Sequence, residues 1–244
     1  MKILTLCLML LAVCVPAMTQ IHIDETHLDP GSGGILIVYN DINTDPERLP
    51  WVRSLIENDN TNVFGTIVIM STANTIPQEA FMRSNAEYIN FQPTSRITVI
   101  PEGVFMDNHR LRLVHLPPSV TTIESDAFGN CTNLTVVRFG SKDEPSRLET
   151  IADLAFWGTN ISRMYVPDSV RNIGYEILYP GTNIQSIRLP ANVNIDSENP
   201  FHSIYIQNGR RAGVYVRGTQ GRWRYTNDVE TEEEFLSDGW SFLQ

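Results

Sequence analysis

The chain has few cysteines and few basic residues, and each shortage excludes a class of protein. Cys7 and Cys14 lie in or beside an N-terminal apolar block, so Cys131 is the one cysteine in the rest of the chain. A single cysteine cannot form a disulfide framework, and stability must come from a packed core. Lysine and arginine total 18 against 28 aspartate and glutamate, a net charge of −10. This balance disfavours nucleic-acid binding, because a basic face is what neutralises phosphates.

Long hydrophobic runs are also missing once the first residues are passed. Residues 3–15 are apolar, Lys2 precedes them, and the small residues Pro16 and Ala17 follow. The block is shorter than the ~20 residues of a membrane-spanning helix. It predicts a signal peptide over residues 1–17 and an exported chain with no transmembrane segment after its removal. A lipid anchor at Cys14 is the alternative, although Val13 is a poor residue for the position before a lipidated cysteine.

Residue groups that could carry catalysis are sparse. His22 and His27 have acidic neighbours but lie in a segment that we expect to be flexible, whereas a metal site needs ligands held by a scaffold. Cys131 has no histidine in its own repeat unit, and we expect a buried structural thiol there. The sequence therefore predicts no enzyme activity, no metal site and no cofactor.

An internal repeat is the main feature that the sequence does contain. An isoleucine is followed five positions later by a large apolar residue in five pairs: Ile76/Phe81, Ile100/Phe105, Ile123/Phe128, Ile151/Phe156 and Ile173/Leu178. The intervals between the isoleucines are 24, 23, 28 and 22 residues, and Ile195 adds another of 22. Periods of about 20–30 residues are typical of solenoids, in which each coil packs on its neighbours.

Each unit also contains a short alternating segment, and alternation at period two predicts a strand with one buried face. The alternating pairs are Val114/Leu116, Val137/Phe139, Met164/Val166 and Ile187/Leu189, and Pro117, Pro167 and Pro190 close three of them. Ile67 and Ile69 have the same spacing ahead of Ile76, so the solenoid is expected to start there. The strand of the Ile76 unit is expected at Ile89 and Phe91, with a shifted register.

The complete pattern is Ile-x-x-x-Ala/Val-Phe, then Leu-x-x-Val-x-Leu-Pro-x-Ser-Val, and it is clearest in residues 123–139 and 111–120. Over residues 63–207 it resembles the BspA-like, or Treponema-type, leucine-rich repeat. The resemblance implies a mainly β solenoid with parallel strands and about 22–24 residues per coil. It also implies a bacterial source and an adhesin-like surface protein.

Caps are expected at both ends of the solenoid. Residues 18–62 are predicted to hold a flexible lead, a strand at residues 35–39 and a helix that begins near Asp45. Residues 208–226 are predicted to form a β-hairpin that covers the open edge of the last coil, and the arrangement looks like the hairpin that often closes Treponema-type repeat proteins. Residues 227–244 form an acidic tail, which is either solvated or a docking segment.

Outward-facing strand positions form the candidate binding face. They are Arg112, His115, Arg138, Arg163, Tyr165 and Arg188. Arginine and tyrosine are favoured at binding hot spots, so the face could engage an acidic protein or a glycan, although ordinary solvated strand residues would give the same pattern. The sequence thus predicts an exported interaction module. The alternative is a structural envelope component, anchored by a lipid or by association, without a specific ligand.

Overall fold

The repeating residues form two sets of strands in the computed structural model of the chain. The structure describes residues 21–24, 34–38, 64–69, 73–92, 94–140, 143–178 and 183–226. The predicted signal peptide with Cys14, the predicted helix near Asp45 and the acidic tail lie outside the described residues.

The described residues contain fifteen strands and one short helix. In chain order they are β1 (Ile21–Asp24), β2 (Gly34–Val38), β3 (Phe64–Ile69), β4 (Tyr88–Phe91), β5 (Val99–Ile100), β6 (Leu113–Leu116), β7 (Thr122–Ile123), β8 (Val136–Phe139), β9 (Thr150–Ile151), β10 (Arg163–Tyr165), β11 (Asn172–Ile173), β12 (Ser186–Leu189), β13 (Asn194–Ile195), α1 (His202–Gln207), β14 (Gly213–Arg217) and β15 (Trp223–Thr226).

The alternating segments form the longer strands, which run parallel along one side of the solenoid. Strands β2, β3, β4, β6 and β8 are neighbours in one sheet, and β10 pairs with β12 in the next. Ile67 lies opposite Ile89, Ile89 opposite Val114, and Val114 opposite Val137. Because these residues share a row and point inward, the register keeps every apolar side chain of the row in the core. The strand predicted at Ile89 is confirmed. The start of the solenoid at Ile67 stays a prediction, because β2 continues the parallel sheet ahead of β3.

The repeating isoleucines lie on a second, five-stranded parallel sheet of short strands, in the order β13-β11-β9-β7-β5. Ile100, Ile123, Ile151, Ile173 and Ile195 are paired in register along it. All five are buried. The predicted solenoid of stacked coils is therefore confirmed.

The large residue five positions after each isoleucine forms a stack through the core. Ring centroids lie 5.8 Å apart for Phe81 and Phe105, 5.4 Å for Phe105 and Phe128, and 5.3 Å for Phe128 and Phe156. Leu178 and Phe201 occupy the same place in the following coils and are also buried. The sequence pattern missed Phe201, because it stands six positions after Ile195.

Polar side chains occupy one buried position of the turn that follows each phenylalanine. The Asn108 amide nitrogen donates to the carbonyls of Phe81 and Phe105, each at 2.8 Å, and the Ser84 hydroxyl donates to the Asn108 amide oxygen at 2.8 Å. The Cys131 thiol donates to the Phe105 carbonyl at 3.1 Å, and the Thr159 hydroxyl to the Phe156 carbonyl at 2.8 Å. The Phe81 and Phe156 carbonyls also accept the backbone amides of Ser84 and Thr159, each at 3.3 Å. The side-chain bonds therefore complete the hydrogen bonding of carbonyls inside the tight turns.

The C-terminal hairpin closes the last coil, as the sequence predicts. Strand β14 pairs antiparallel with β12, and β15 pairs antiparallel with β14, so the hairpin covers the edge that β12 would otherwise expose. Tyr205 of α1 packs edge-on against Tyr215 of β14, with ring centroids 5.6 Å apart. The Tyr205 hydroxyl donates to the Pro190 carbonyl at 2.8 Å, which ties the cap to the last coil. The sequence did not predict α1.

At the other end, the strand predicted at residues 35–39 is present as β2, parallel to β3. Strand β1 pairs antiparallel with β2 and was not predicted. The expected flexible lead over residues 18–34 therefore contains a strand.

Candidate functional site

The outward positions of the long strands form one continuous surface, which we call the strand face. Its first row contains Val68, Asn90, His115 and Arg138 in register, followed by Tyr165 opposite Arg188. Its second row contains Thr66, Tyr88, Leu113 and Val136, followed by Arg163 opposite Ser186. Parallel strands hold such neighbours ~4.8 Å apart on a rigid backbone.

The six predicted residues share this face but not one row. His115, Arg138, Tyr165 and Arg188 belong to the first row, and Arg163 belongs to the second. Arg112 lies just before β6, where its carbonyl accepts a hydrogen bond from the Thr135 amide. The other five residues are therefore divided between two rows, and Arg112 lies outside both, beside β6.

Exposure falls from the first coils toward the last. The Arg112 side chain is 65% exposed and His115 is exposed, whereas Arg138, Arg163 and Tyr165 are half-buried. Arg188 is only 3% exposed. The cause is the hairpin, because Val214 of β14 lies directly opposite Arg188 and packs beside Tyr165.

The expectation that Arg188 is accessible on the face is therefore wrong. Its guanidinium donates to the Val166 carbonyl at 3.1 Å, pairs with Asp168 at 2.6 Å and lies 4.8 Å from the centre of the Tyr165 ring. A buried charge needs such partners. Arg188 joins β12 to the preceding coil, beneath the cap strand β14, instead of presenting a charge to a partner.

The basic residues of the first coils are held by specific partners. Glu87 lies between Arg110 and Arg112, with nitrogen–oxygen distances of 3.3 and 3.2 Å. The hydrogen bond to Glu87 raises the pKa of Arg112 above its ordinary value. His115 donates from Nε2 to the Gly140 carbonyl, which orients its ring. The open end of the face therefore has mixed charge and is not a plain cationic stripe.

Sequence reasoning missed an apolar row on the same open end. Tyr88 lies opposite Leu113, and Leu113 lies opposite Val136. Tyr88 is 42% exposed, and Leu113 and Val136 are half-buried. Glu87 and Arg112 flank this row on one side, and Asn90 and His115 on the other. The available signal was that Leu113 and Val136 are apolar at positions where alternation predicts a polar residue.

The edge formed by the turns after the short strands has the opposite character. It carries a series of carboxylates that project from successive coils: Glu79, Glu102, Glu124, Asp126, Asp153 and Glu176. Backbone hydrogen bonds stack these turns, for example from the Glu79 amide to the Glu102 carbonyl at 3.0 Å. We call this surface the acidic edge. Within the described residues, no group of three or more His, Cys, Asp or Glu side chains could hold a metal ion.

Cys131 is placed as the sequence predicts, in the core. Burial raises the pKa of its thiol to about 12. An ordinary cysteine has a pKa of about 8.5, so near pH 8 the buried thiolate is rarer by roughly three powers of ten.

We therefore expect Cys131 to react with a maleimide at pH 8 at least ~10³ times more slowly in the folded protein than in urea. The test uses a chain in which Cys7 and Cys14 are replaced by serine, and mass spectrometry follows the label. Ser203→Cys on the exposed side of α1 is the matched control, and the thiol that it introduces should react fast. If Cys131 and the thiol introduced at position 203 reacted at equal rates, the placement of Cys131 in the core would be contradicted.

Comparison with known proteins agrees with this architecture. The family described as "BspA type Leucine rich repeat region" matches residues 59–144 and 98–210, with six copies. No curated protein matches the chain. Within the described residues, no helix has the length and apolar character that a membrane crossing requires.

Three solved structures are similar to the chain. The pneumococcal vaccine antigen PcpA is 26% identical with a TM-score of 0.46, over 58% of this chain and 34% of that one. A leucine-rich repeat protein from Bacteroides ovatus is 24% identical with a TM-score of 0.47, over 54% of this chain and 33% of that one. A leucine-rich cell surface protein from Faecalibacterium prausnitzii is 14% identical with a TM-score of 0.41, over 86% and 62%. The chain thus covers about a third of the length of the first two.

Proposed function

The chain belongs to the BspA-type leucine-rich repeat family, and from this premise we propose that it is an interaction module that binds a protein partner through the open end of the strand face. The observation that carries the proposal is the partly exposed apolar row Tyr88–Leu113–Val136, with polar or charged residues on both of its sides. Leucine-rich-repeat solenoids are typically non-catalytic, and extended binding surfaces are the usual product of stacked repeats.

The geometry of the row suits protein recognition. An apolar centre surrounded by polar groups is the usual arrangement of a binding hot spot, and tyrosine is enriched at such centres. The parallel strands fix the backbone of Tyr88, Leu113 and Val136, so the backbone loses little conformational freedom when a partner binds. Arg112 and His115, both already oriented by hydrogen bonds, would contribute specificity at the rim.

The residues predicted for the binding face have different positions relative to the apolar row. Arg112 and His115 border the apolar row, Arg138 lies beside Val136, and Arg163 and Tyr165 extend the surface toward the cap. A protein surface with an apolar centre and a rim of mixed charge is the partner that this mixture fits, and a glycan is the second candidate because arginine and tyrosine also contact sugars. Arg188 takes no part because it is buried.

The cellular setting follows from the sequence of the first residues. The predicted signal peptide supports export and a secreted, periplasmic or adhesin-like surface location. The competing hypothesis is an envelope component, held by a lipid at Cys14 or by association, with no specific ligand. The mass of the mature N-terminus separates the two anchoring modes, because lipidation would leave Cys14 as the first residue.

Photo-cross-linking tests the proposed face. A benzophenone amino acid in place of Tyr88 should capture a discrete partner from the envelope and extracellular fractions of the source cells. The same residue in place of Tyr175, which is 39% exposed on the acidic edge, is the matched control and should not.

With the captured partner purified, Tyr88→Ala combined with Leu113→Ala should weaken binding at least about tenfold, which corresponds to ~1.4 kcal/mol for removing a hot-spot aromatic and its neighbour. Calorimetry or surface plasmon resonance measures the change. Tyr175→Ala should leave the affinity unchanged. Equal capture from both positions, or an affinity that Tyr88→Ala/Leu113→Ala does not alter, would remove the strand face as the binding site.

A further inference from the structure

The C-terminal cap is the most strongly basic part of this acidic protein. Residues 208–226 contain no aspartate or glutamate and five arginines, all of which are exposed: Arg210, Arg211, Arg217, Arg222 and Arg224. We call them the cap arginines. Among the described residues, arginines 83, 110, 112 and 188 have carboxylate partners within ion-pair distance, and none of the cap arginines does.

The cap arginines are distributed along the hairpin from which the chain leaves at Thr226. Thr226, the last residue of β15, lies opposite Val214, and the Tyr225 hydroxyl donates to the Ala212 carbonyl at 3.0 Å. The chain therefore leaves β15 beside Arg211. Arg224 lies opposite Val216 on the outward side of the same strands. Arg217 and Arg222 lie at the far end, around the hairpin turn.

The sequence that continues from this point has the complementary composition. Residues 227–244, which we call the acidic segment, contain no lysine or arginine and six carboxylates: Asp228, Glu230, Glu232, Glu233, Glu234 and Asp238. Phe235, Trp240 and Phe242 lie among them. A segment of this length can extend up to roughly 60 Å at ~3.3 Å per residue, so every cap arginine is within its reach.

The charges on the other surfaces of the molecule also favour the cap arginines as the place where the acidic segment binds. The acidic edge repels a segment of negative charge, and the open end of the strand face has its basic residues paired, as Arg110 and Arg112 are with Glu87. The cap arginines are attached to the segment by the chain itself, so their effective concentration is high without any encounter step. Aromatic side chains between the carboxylates can stack on guanidinium groups.

We propose that the acidic segment docks in cis on the cap arginines of its own chain. The docking is independent of the proposed function, since it needs no partner at the strand face. The segment would then cover the outer surface of the hairpin and the exposed edge of β15, which is an edge strand among the described residues.

A distance measurement between two labels tests the docking in the full chain. Spin labels are placed at Ser203→Cys on α1 and Ser237→Cys in the acidic segment, with Cys7 and Cys14 replaced by serine. Cys131 is spared because its thiol is buried. We expect a narrow, short distance distribution at 50 mM salt that broadens at 500 mM, because the Debye length then falls to about 4 Å.

Charge reversal identifies the docking surface. Arg210→Glu, Arg211→Glu, Arg222→Glu and Arg224→Glu together should lower the ratio of docked to undocked molecules about tenfold or more, the loss expected for several cooperating ion pairs. Reversal of Glu230, Glu232, Glu233 and Glu234 to arginine should do the same. Both sets combined should restore the short distance, which a simple loss of folding cannot do.

A control reverses two exposed arginines in earlier coils, Arg96→Glu and Arg147→Glu, and should leave the distance unchanged. A broad distribution in the unaltered chain, or no response to the cap reversals, would overturn the proposal. A short distance seen only between two differently labelled chains would overturn it in favour of docking between copies. Recovery by the combined reversal is the result that supports it.

Discussion

Phe128→Ala is expected to lower the free energy of unfolding by about 3–5 kcal/mol, the usual cost of truncating a fully buried phenylalanine. Phe128 stands at the centre of the aromatic stack, 5.4 Å from Phe105 and 5.3 Å from Phe156 between ring centroids. The cavity would open between coils that are joined there by ring packing and by backbone hydrogen bonds, such as the one from the Phe128 amide to the Ala155 carbonyl at 2.9 Å. Because each coil is stabilised by its nearest neighbours, the loss weakens both interfaces at once.

Urea unfolding followed by circular dichroism measures this change, and the melting temperature should fall by roughly 6–20 °C at ~2–4 °C per kcal/mol. Tyr88→Ala removes an aromatic ring of similar size from the strand face and should cost less than about 1 kcal/mol. Equal losses for the two variants would mean that the stack does not hold the coils together. A lower m-value for Phe128→Ala would indicate that the two halves of the solenoid unfold separately.

The regularity of this stack explains why the sequence predicts the solenoid so well. A ring that packs on the ring of the next coil must stand at a constant distance from the isoleucine that enters the short sheet. The constant five-residue offset in the sequence therefore reflects the stacking of these rings in the core. It fails at Phe201, six positions after Ile195, where α1 begins and, as far as Thr226, the described chain forms no further coil. In the last coil no ring of a following coil has to be matched, so the five-residue spacing is no longer required and the pattern does not predict Phe201.

Strand β1 shows a different limit of sequence analysis. Ile21 and Ile23 alternate with His22 and Asp24, which is the signal of a strand with one apolar side. The glycine-rich residues that follow favoured a flexible lead. A four-residue alternation is too short to decide, because β1 depends on pairing with β2 and not on its own propensity.

The candidate face could be located from the sequence, but its accessibility could not. Alternation predicts that Arg138 and Arg188 both point outward from their strands, β8 and β12, which belong to two different sheets. Arg188 is nevertheless buried, because β14 returns along β12 in the antiparallel direction. The pairing of β12 with β14, which are far apart in the sequence, is what makes Arg188 contact Val214 and Asp168 instead of solvent. The apolar row from Tyr88 to Val136 was missed for the converse reason, since an outward apolar residue resembles a core residue until the register is known.

The sequence analysis also missed a buried position that recurs in each coil; of its residues, only Cys131 was predicted to be buried. The eighth residue after the repeating isoleucines is Ser84, Asn108, Cys131 and Thr159 in successive coils. All four are small or polar, and all four are buried. Each of these side chains donates a hydrogen bond, either to a phenylalanine carbonyl or to the residue at the same position of the next coil. Asn108 does the most, because it bonds to two carbonyls and to Ser84.

Asn108→Leu is therefore expected to lower the free energy of unfolding by about 2–4 kcal/mol although the side chains are similar in size, because each buried polar group left without a good partner costs about 1–3 kcal/mol. The Phe81 carbonyl would keep only the Ser84 amide at 3.3 Å, and the Ser84 hydroxyl would lose its acceptor. The Phe105 carbonyl would keep the Cys131 thiol. Thermal and urea unfolding both report the loss.

Two further variants separate hydrogen bonding from packing at this position. Asn133→Leu, in the exposed part of the next turn, removes one bond of 2.6 Å to the His109 carbonyl and should cost less than about 1 kcal/mol, since water can replace it. Asn108→Thr should cost less than Asn108→Leu, because Thr159 already donates to a phenylalanine carbonyl from the same position of its coil. If leucine is tolerated at position 108 as well as threonine, the polar row contributes nothing to stability, and its residues are there only because they are small.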